Sequence, residues 1–277
     1  MPRVLLIGDH PEIRRGLETT QALEGCEILA AVGNVDAIRT VRSRAIDVVL
    51  TNPATPMHDD LALVAELQTS RPGLKAIVLA PAAAPDEFIE ALRSHVFACF
   101  VAPFDLTAVA EMTRRAVDAV DWHDGIRLES GLPNWIALTV ACRLVTAERL
   151  VHFMTEYRRD LAEDDRDNLM TAFREMLMNA MEHGAGFDPE KVIHVIAVQT
   201  ERAIVYHFRD PGTGFTPGQL ERKALPDNEA DPIALIERRA DMGLRPGGFG
   251  ILVAKQLVDE MFYNESGNEV LLIKHLV

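Results

Sequence analysis

The sequence is poor in cysteine, in long apolar runs and in clustered positive charge. Cys26, Cys99 and Cys142 stand far apart, each among apolar neighbours. That excludes a disulfide-stapled scaffold and points to reduced core residues in a cytoplasmic protein. No apolar stretch reaches the 18 residues that a membrane helix needs, so no membrane span is expected. The opening MPRVLLIGDH holds an apolar run too short for a signal peptide before Asp9 interrupts it. Lys and Arg never run beyond two in a row, and the net charge is -14, which argues against a nucleic-acid partner. Any phosphate binding would have to rest on backbone N–H groups and a metal ion rather than on a basic surface.

What is present is a chain of 277 residues, 48% apolar, too hydrophobic to be disordered and long enough for two domains. Over 1–122, short β-rich runs alternate with helical patterns. VLLIG (4–8), EILAAVG (27–33), DVVL (47–50), KAIVLA (75–80) and FACFVA (97–102) read as strands. Segments 13–24, 36–45, 60–70, 86–94 and 106–120 read as helices. Nearly continuous apolar strands between helices predict a parallel sheet covered on both faces. Sites in such sheets form at the carboxyl ends of strands, which places Asp9, Thr51 and Asn52, Ala80 and Ala102 there.

The order VLLIGDHPEIRRGLE, DVVLTNPATP, KAIVLAPA, FVAPF resembles a response-regulator receiver domain along essentially all of 1–122. Receivers carry an acidic pair after the first strand and a phospho-accepting Asp after the third. They carry Thr or Ser after the fourth strand and Lys before Pro after the fifth. Here the matching positions hold Gly8 and Asp9, Asn52, Ala80 and Ala102, while Pro56, Pro103 and Phe104 are retained. An Asn side chain lacks the nucleophilicity of a carboxylate. One remaining acid offers Mg²⁺ too few anionic oxygens. The resemblance therefore implies a flavodoxin-like fold that has lost phosphorylation at residue 52 and serves as a structural or dimerising module, or as a sensor of another ligand.

Segment 123–134, with two Gly, a Pro and no periodicity, reads as the linker, flanked by Trp122 and Trp135, each expected to pack into its own domain. The second domain, 135–277, opens with a strand (135–144) and a helix (146–161) for which Thr146 is the expected N-cap. The stripe of Leu150, Phe153, Met154 and Tyr157 reads as core, and His152 among them reads as a packing residue. A second helix, 166–183, carries Glu175, Asn179 and His183 at i, i+4 and i+8, on one side, and Gly184 and Gly186 end it. Two alternating strands follow (191–200 and 202–210), then DPGTGF (210–215), in which Gly212 and Gly214 permit close backbone approach. A polar loop of about 30 residues leads to the glycines of GGFGILVAKQLVDEM (247–261), which open onto a helix start suited to phosphate. A hairpin through Ser266, Gly267 and Asn268 closes the chain.

In this order, Glu-x3-Asn-x3-His on a helix, DxGxG, a loop and GGxG resemble the ATP-binding GHKL fold, an α/β sandwich. Its members include sensor histidine kinases, DNA gyrase and the anti-sigma factor serine kinases. REMLMNAMEHG is most similar to the serine kinase branch. The resemblance implies ATP and Mg²⁺ as cofactors, with Asn179 holding the metal and Glu175 as general base. It implies Asp210 at the adenine amino group, and Gly212 and Gly214 letting the backbone pass the adenine. Gly247, Gly248 and Gly250 would meet the phosphates, with His183 and Arg245 in support. It also implies an anti-anti-sigma factor as partner and substrate, a sigma factor as a second partner, and a homodimer. Two other readings stay open: a nucleotide-dependent binding switch without catalysis, and a histidine-kinase-like ATPase, for which a docking hairpin is missing.

Overall fold

The computed structural model describes residues 1–119, 123–214 and 250–276. The chain divides into two compact units: Met1–Leu128 with Glu148–Arg158, and Glu129–Ala147 with Arg159–Val277.

The first unit is built on a five-stranded parallel sheet. Its strands are β1 (Arg3–Ile7), β2 (Glu27–Ala31), β3 (Val48–Leu50), β4 (Lys75–Ala80) and β5 (Ala98–Val101), in the order β2-β1-β3-β4-β5. The crossovers are α1 (Pro11–Thr19), α2 (Asn34–Ser43), α3 (Met57–Ser70), α4 (Pro85–Arg93) and α5 (Leu106–Asp118). The strands are apolar throughout because both sheet faces are covered. Leu5, Ile7 and Val49 from the sheet, Ala37 and Val41 from α2, and Leu63 and Leu67 from α3 form one buried cluster. Removing each of the Leu, Ile and Val side chains from water stabilises the fold by roughly 1.5–3 kcal/mol. The helix expected over 13–24 stops at Thr19 and gives way to a short 3₁₀ turn at Gln21–Leu23. A further helix, α6 (Leu144–Tyr157), expected to belong to the second domain, instead contributes its residues from Glu148 onward to this first unit, where they pack against β5.

The second unit holds an antiparallel sheet. Its strands are β6 (Ile126–Leu132), β7 (Trp135–Ala141), β8 (Val192–Gln199), β9 (Ala203–Arg209), β10 (Glu260–Tyr263) and β11 (Glu269–His275), in the order β10-β11-β9-β8-β7-β6. Helix α7 (Glu163–Asn179) and helix α8 (Gly250–Leu257) lie against each other. Three acidic residues in the first turn of α7 (Glu163, Asp164, Asp165) suit the positive end of its dipole. Its buried stripe, Leu169, Phe173, Met176 and Leu177, faces the sheet. The Phe173 ring meets Tyr206 and Phe208 of β9 edge-on, each at 4.9 Å between centroids. Those two are register partners of Leu272 and Val270 on β11, so one face of the sheet is a continuous apolar surface under α7.

Several sequence expectations change here. The stretch 123–134, read as linker, contains β6, an edge strand whose residues are mostly exposed, which is why its sequence lacks clean alternation. The strand from Trp135 ends at Ala141, and the next helix starts at Leu144, so Thr146 is buried inside that helix and is not its N-cap. Trp135 is exposed rather than packed, and Trp122 lies outside the described residues. The last helix ends at Leu257, and the Met261 region belongs to β10, paired with β11 in the closing hairpin. No helix among the described residues is long and apolar enough to cross a membrane.

Candidate functional site

Gly8 follows β1 with φ +97°, a conformation that favours glycine. A Cβ built there would come within 2.8 Å of the His10 ring and 3.1 Å of Asn52 Cγ. The absent side chain makes room for His10, whose Nε2 donates to Asn52 Oδ1 at 2.7 Å. The backbone N–H of Ala54 donates to the same oxygen at 3.0 Å. Asn52 is thus held by its own neighbours. Asp9 and Ala102 are exposed, and Ala80 is buried. His10 is the residue that sequence reasoning missed, since only the tertiary fold brings it over Asn52. Behind the loop, Asp60 is 1% exposed and accepts from Thr55 Oγ1 at 2.9 Å. Burial pushes its carboxyl up to about 6, against the opposing effect of the Thr51 and Thr55 hydroxyls.

The second unit gathers the other set. Glu175 and Asn179 stand one turn apart on α7, and both approach the start of α8. A Cβ built on Gly250 would collide with the Glu175 carboxylate and lie 3.4 Å from Asn179 Nδ2. Only a glycine lets the α8 start come so near these two side chains. Asn179 Nδ2 is buried and has no hydrogen-bond partner among the described residues. A buried donor of this kind is costly unless something else satisfies it. After Asn179 the backbone widens into a π-helical turn, Ala180–Gly184, with Ala185 N–H bonded to Ala180 O. His183 lies exposed within that turn. Gly186 and Phe187 then take positive φ and end the helix.

Asp210 follows β9, across from this turn. A Cβ on Gly184 would overlap the Asp210 carboxyl group, and one on Gly212 would come within 2.8 Å of both Asp210 Oδ1 and Gly184 O. Gly212 N–H donates to Asp210 Oδ1 at 2.8 Å. The β10–β11 turn braces this loop. Asp210 N–H donates to Asn268 O at 3.0 Å, and Asn268 Nδ2 donates to Gly212 O at 3.3 Å. Asn264 Nδ2 in turn donates to Asn268 Oδ1 at 2.9 Å. Gly214, at φ +72°, has no room for a Cβ against Ser266 O. Burial raises the Asp210 carboxyl above its usual range, partly offset by the Gly212 N–H. Burial also raises the Tyr263 phenol, and the Asp210 charge adds to that effect. The Cys142 thiol is pushed up to about 11, by burial first and then by Asp188. Asp210 is thus half-buried, with one carboxylate oxygen engaged by Gly212. Asn264, Asn268 and Tyr263 beside this loop carry no recognisable spacing, and only the hairpin places them. Arg245, Gly247 and Gly248 lie outside the described residues.

These features test the fit of a Mg²⁺–nucleotide. The orphaned Asn179 amide, the glycine cradle around Asp210 and the oxygen donors of Glu175 and Asn179 suit a ligand with phosphates, a hard cation and a ring amino group. The residues present fit that group.

Comparison with known proteins finds two family matches, the second of which takes in Glu148–Arg158 of the first unit. Residues 4–114 match the response regulator receiver domain, and residues 140–274 match the histidine kinase-like ATPase domain. Similar curated proteins include the regulatory protein AtoC of Escherichia coli, 28% identical over 125 residues. That match covers 45% of this chain and 27% of AtoC. The transcriptional regulatory protein GlrR of Escherichia coli is 24% identical over 148 residues, covering 51% of this chain and 33% of GlrR. PrrA of Mycobacterium tuberculosis is 26% identical over 114 residues, covering 41% of this chain and 48% of PrrA. The chain thus spans less than half the length of each of these relatives. Among solved structures, a CheY-like receiver domain protein from Methanospirillum hungatei is 20% identical with a TM-score of 0.38, covering 43% of this chain and 94% of that one. A response regulator from Thermotoga maritima is 17% identical with a TM-score of 0.38, covering 43% and 99%.

Proposed function

We propose that this chain, in which a response regulator receiver domain is joined to a histidine kinase-like ATPase domain, is an ATP-dependent serine/threonine protein kinase of a partner-switching pathway. The observation that carries the reading is the meeting of Glu175 and Asn179 with Gly250 at the start of α8, with Asp210 held in a glycine cradle in the same unit. When bound, Mg·ATP supplies the transferable phosphoryl group. Asn179 is the residue to hold the cation. Glu175 is the base to take the proton from the substrate hydroxyl. Asp210, with one oxygen occupied by Gly212, keeps the other for the adenine amino group. The protein substrate is a regulatory partner of the anti-anti-sigma type, with a sigma factor as second partner and a homodimer as the working form.

A second reading is a nucleotide-dependent binding switch without phosphotransfer. It is favoured by the first unit, which keeps its sheet while Asn52 is tied up by His10. One experiment separates the two. The full chain, Glu175→Ala and Asn179→Ala are each incubated with labelled ATP, Mg²⁺ and partner proteins. The kinase reading expects label on a partner serine or threonine with wild type and none with Glu175→Ala. Nucleotide binding without transfer to any partner leaves the switch. Undiminished Mg·ATP binding by Asn179→Ala refutes the metal role of that residue.

A further inference from the structure

Strand β5 ends the parallel sheet, with β4 as its neighbour on one side. An open strand edge is a site for pairing that proteins cover. Here the cover is the chain's own segment Glu148–Arg158, which is part of the same compact unit. Arg149, His152 and Glu156 stand at i, i+3 and i+7 and share one face of α6. Arg149, 1% exposed, donates from Nε to Phe97 O at 2.8 Å and from Nη2 to Val96 O at 2.9 Å. It also donates from Nη1 to Asp124 O at 2.6 Å and pairs with the Asp124 carboxylate at 2.7 Å. His152 Nε2 donates to Cys99 O at 2.7 Å. Burial lowers that imidazole below its usual range, in keeping with a neutral ring that carries its proton on Nε2. Glu156 Oε2 accepts from Val101 N–H at 3.0 Å.

Helix and strand are comparable in length. From Arg149 to Glu156 a helix rises about 10 Å, and from Phe97 to Val101 a strand rises about 13 Å. Seven helical steps therefore run beside four strand steps, and polar side chains one or two turns apart reach the strand backbone at residues 97, 99 and 101. Flanking contacts reinforce the alignment. Arg149 lies over the Phe97 ring at 5.0 Å, Tyr157 meets Phe88 of α4 edge-on at 5.9 Å, and Arg115 of α5 pairs with Glu148 at 3.0 Å.

Two positions give this contact a functional meaning. Val101 directly precedes Ala102, one of the receiver positions that lost its functional group. Arg158, at the other end, is separated from α7 only by residues 159–162, and α7 carries Glu175 and Asn179. We propose that α6 is a strap: the edge of β5 is the working surface of this receiver, its partner is the chain's own helix, and the hold on α6 sets the nucleotide affinity of α7. This rests on the reading that the second unit binds ATP. A held strap fixes the segment that leads into α7, so less freedom remains to be lost on binding.

The test uses the full chain, a fluorescent ATP analogue with Mg²⁺, and hydrogen exchange of residues 148–158. Glu156→Ala and His152→Leu are expected to speed exchange across that segment and weaken analogue binding by about five-fold or more. Glu156→Gln, which keeps an acceptor oxygen for Val101 N–H, is expected to stay within about two-fold of wild type and guards against misfolding as the cause. Faster exchange with unchanged affinity would overturn the coupling. Unchanged exchange in both variants would overturn the strap itself. Wild type that binds no nucleotide overturns the ATP reading, and the proposal with it, before any substitution is made.

Discussion

Replacing Arg149 by Met tests the energetics of the first unit most sharply. Met fits the path of the arginine stem and keeps its apolar contacts. What it removes is a guanidinium with three hydrogen bonds to the carbonyls of Val96, Phe97 and Asp124, and an ion pair with the Asp124 carboxylate. Hydrogen bonds from a charged donor contribute about 1.5–3 kcal/mol each in favourable cases. They are not additive, and the wild type also bears the cost of taking the charge out of water, which lowers the Arg149 pKa. Breaking a buried pair by removing one partner costs about 3–5 kcal/mol, and that is the expected loss. Asp124 keeps His95 at 2.6 Å, so the lower half of the range is favoured. At about 2–4 °C per kcal/mol, the melting transition of this unit should fall by roughly 10 °C. Because a chain of two units need not unfold in one step, the assay is native-state hydrogen exchange of the β5 amides together with calorimetry. Arg149→Lys should recover less than half of the loss, since a point charge cannot span three carbonyls. A loss under about 1 kcal/mol in Arg149→Met would refute the reasoning, because the buried network would then be worth no more than a surface pair.

Three further outcomes follow from the geometry. Asp60 has a folded pKa raised to about 6 against about 3.9 unfolded, so it destabilises the fold as pH rises from about 4 to 6 and by a constant amount above that. Asp60→Asn should therefore gain up to about 2 kcal/mol relative to wild type at pH 8 and little at pH 4, measured by urea unfolding at both pH values; equal differences at the two would refute the burial of this carboxyl. Gly8→Ala, at φ +97° and against the His10 ring, should lose about 1–2 kcal/mol and break the His10–Asn52 hydrogen bond, seen as a change in the His10 imidazole resonances. Gly184→Ala places a methyl on the Asp210 carboxyl and should weaken ATP binding at least ten-fold, about 1.4 kcal/mol, with less effect on melting temperature; unaltered affinity would separate Asp210 from the nucleotide.

Much of the architecture could be read from apolar runs alone. Continuous runs such as VLLI and IVLA are buried on both faces of a parallel sheet, and they came out as β1 and β4. The alternating runs at Val192–Gln199 and Ala203–Arg209 mark a sheet with one covered face, as β8 and β9 are. Glycines were legible where a turn or close approach demands them, and Gly212, Gly214 and Gly250 do face Asp210, the closing hairpin and Glu175. Edge strand β6 was illegible because an edge exposed to water has little apolar pattern to show. The π-helical turn at Ala180–Gly184 was illegible because the spacing rule assumes an unbroken α-helix.

The sequence by itself determined most of the helices and strands and the residue types at the strand ends, since these depend on local periodicity and on what each side chain can do chemically; that α6 packs with the first unit was left to the tertiary structure. Only the tertiary structure decided that His10 holds Asn52, that Asn268 braces Asp210, and that Arg149, His152 and Glu156 bind the open edge of β5. Those contacts join residues between 42 and 58 positions apart. No local pattern encodes them, because a buried hydrogen bond is specified by the backbone group that happens to lie opposite, and that is fixed only once the sheet and its helices have packed.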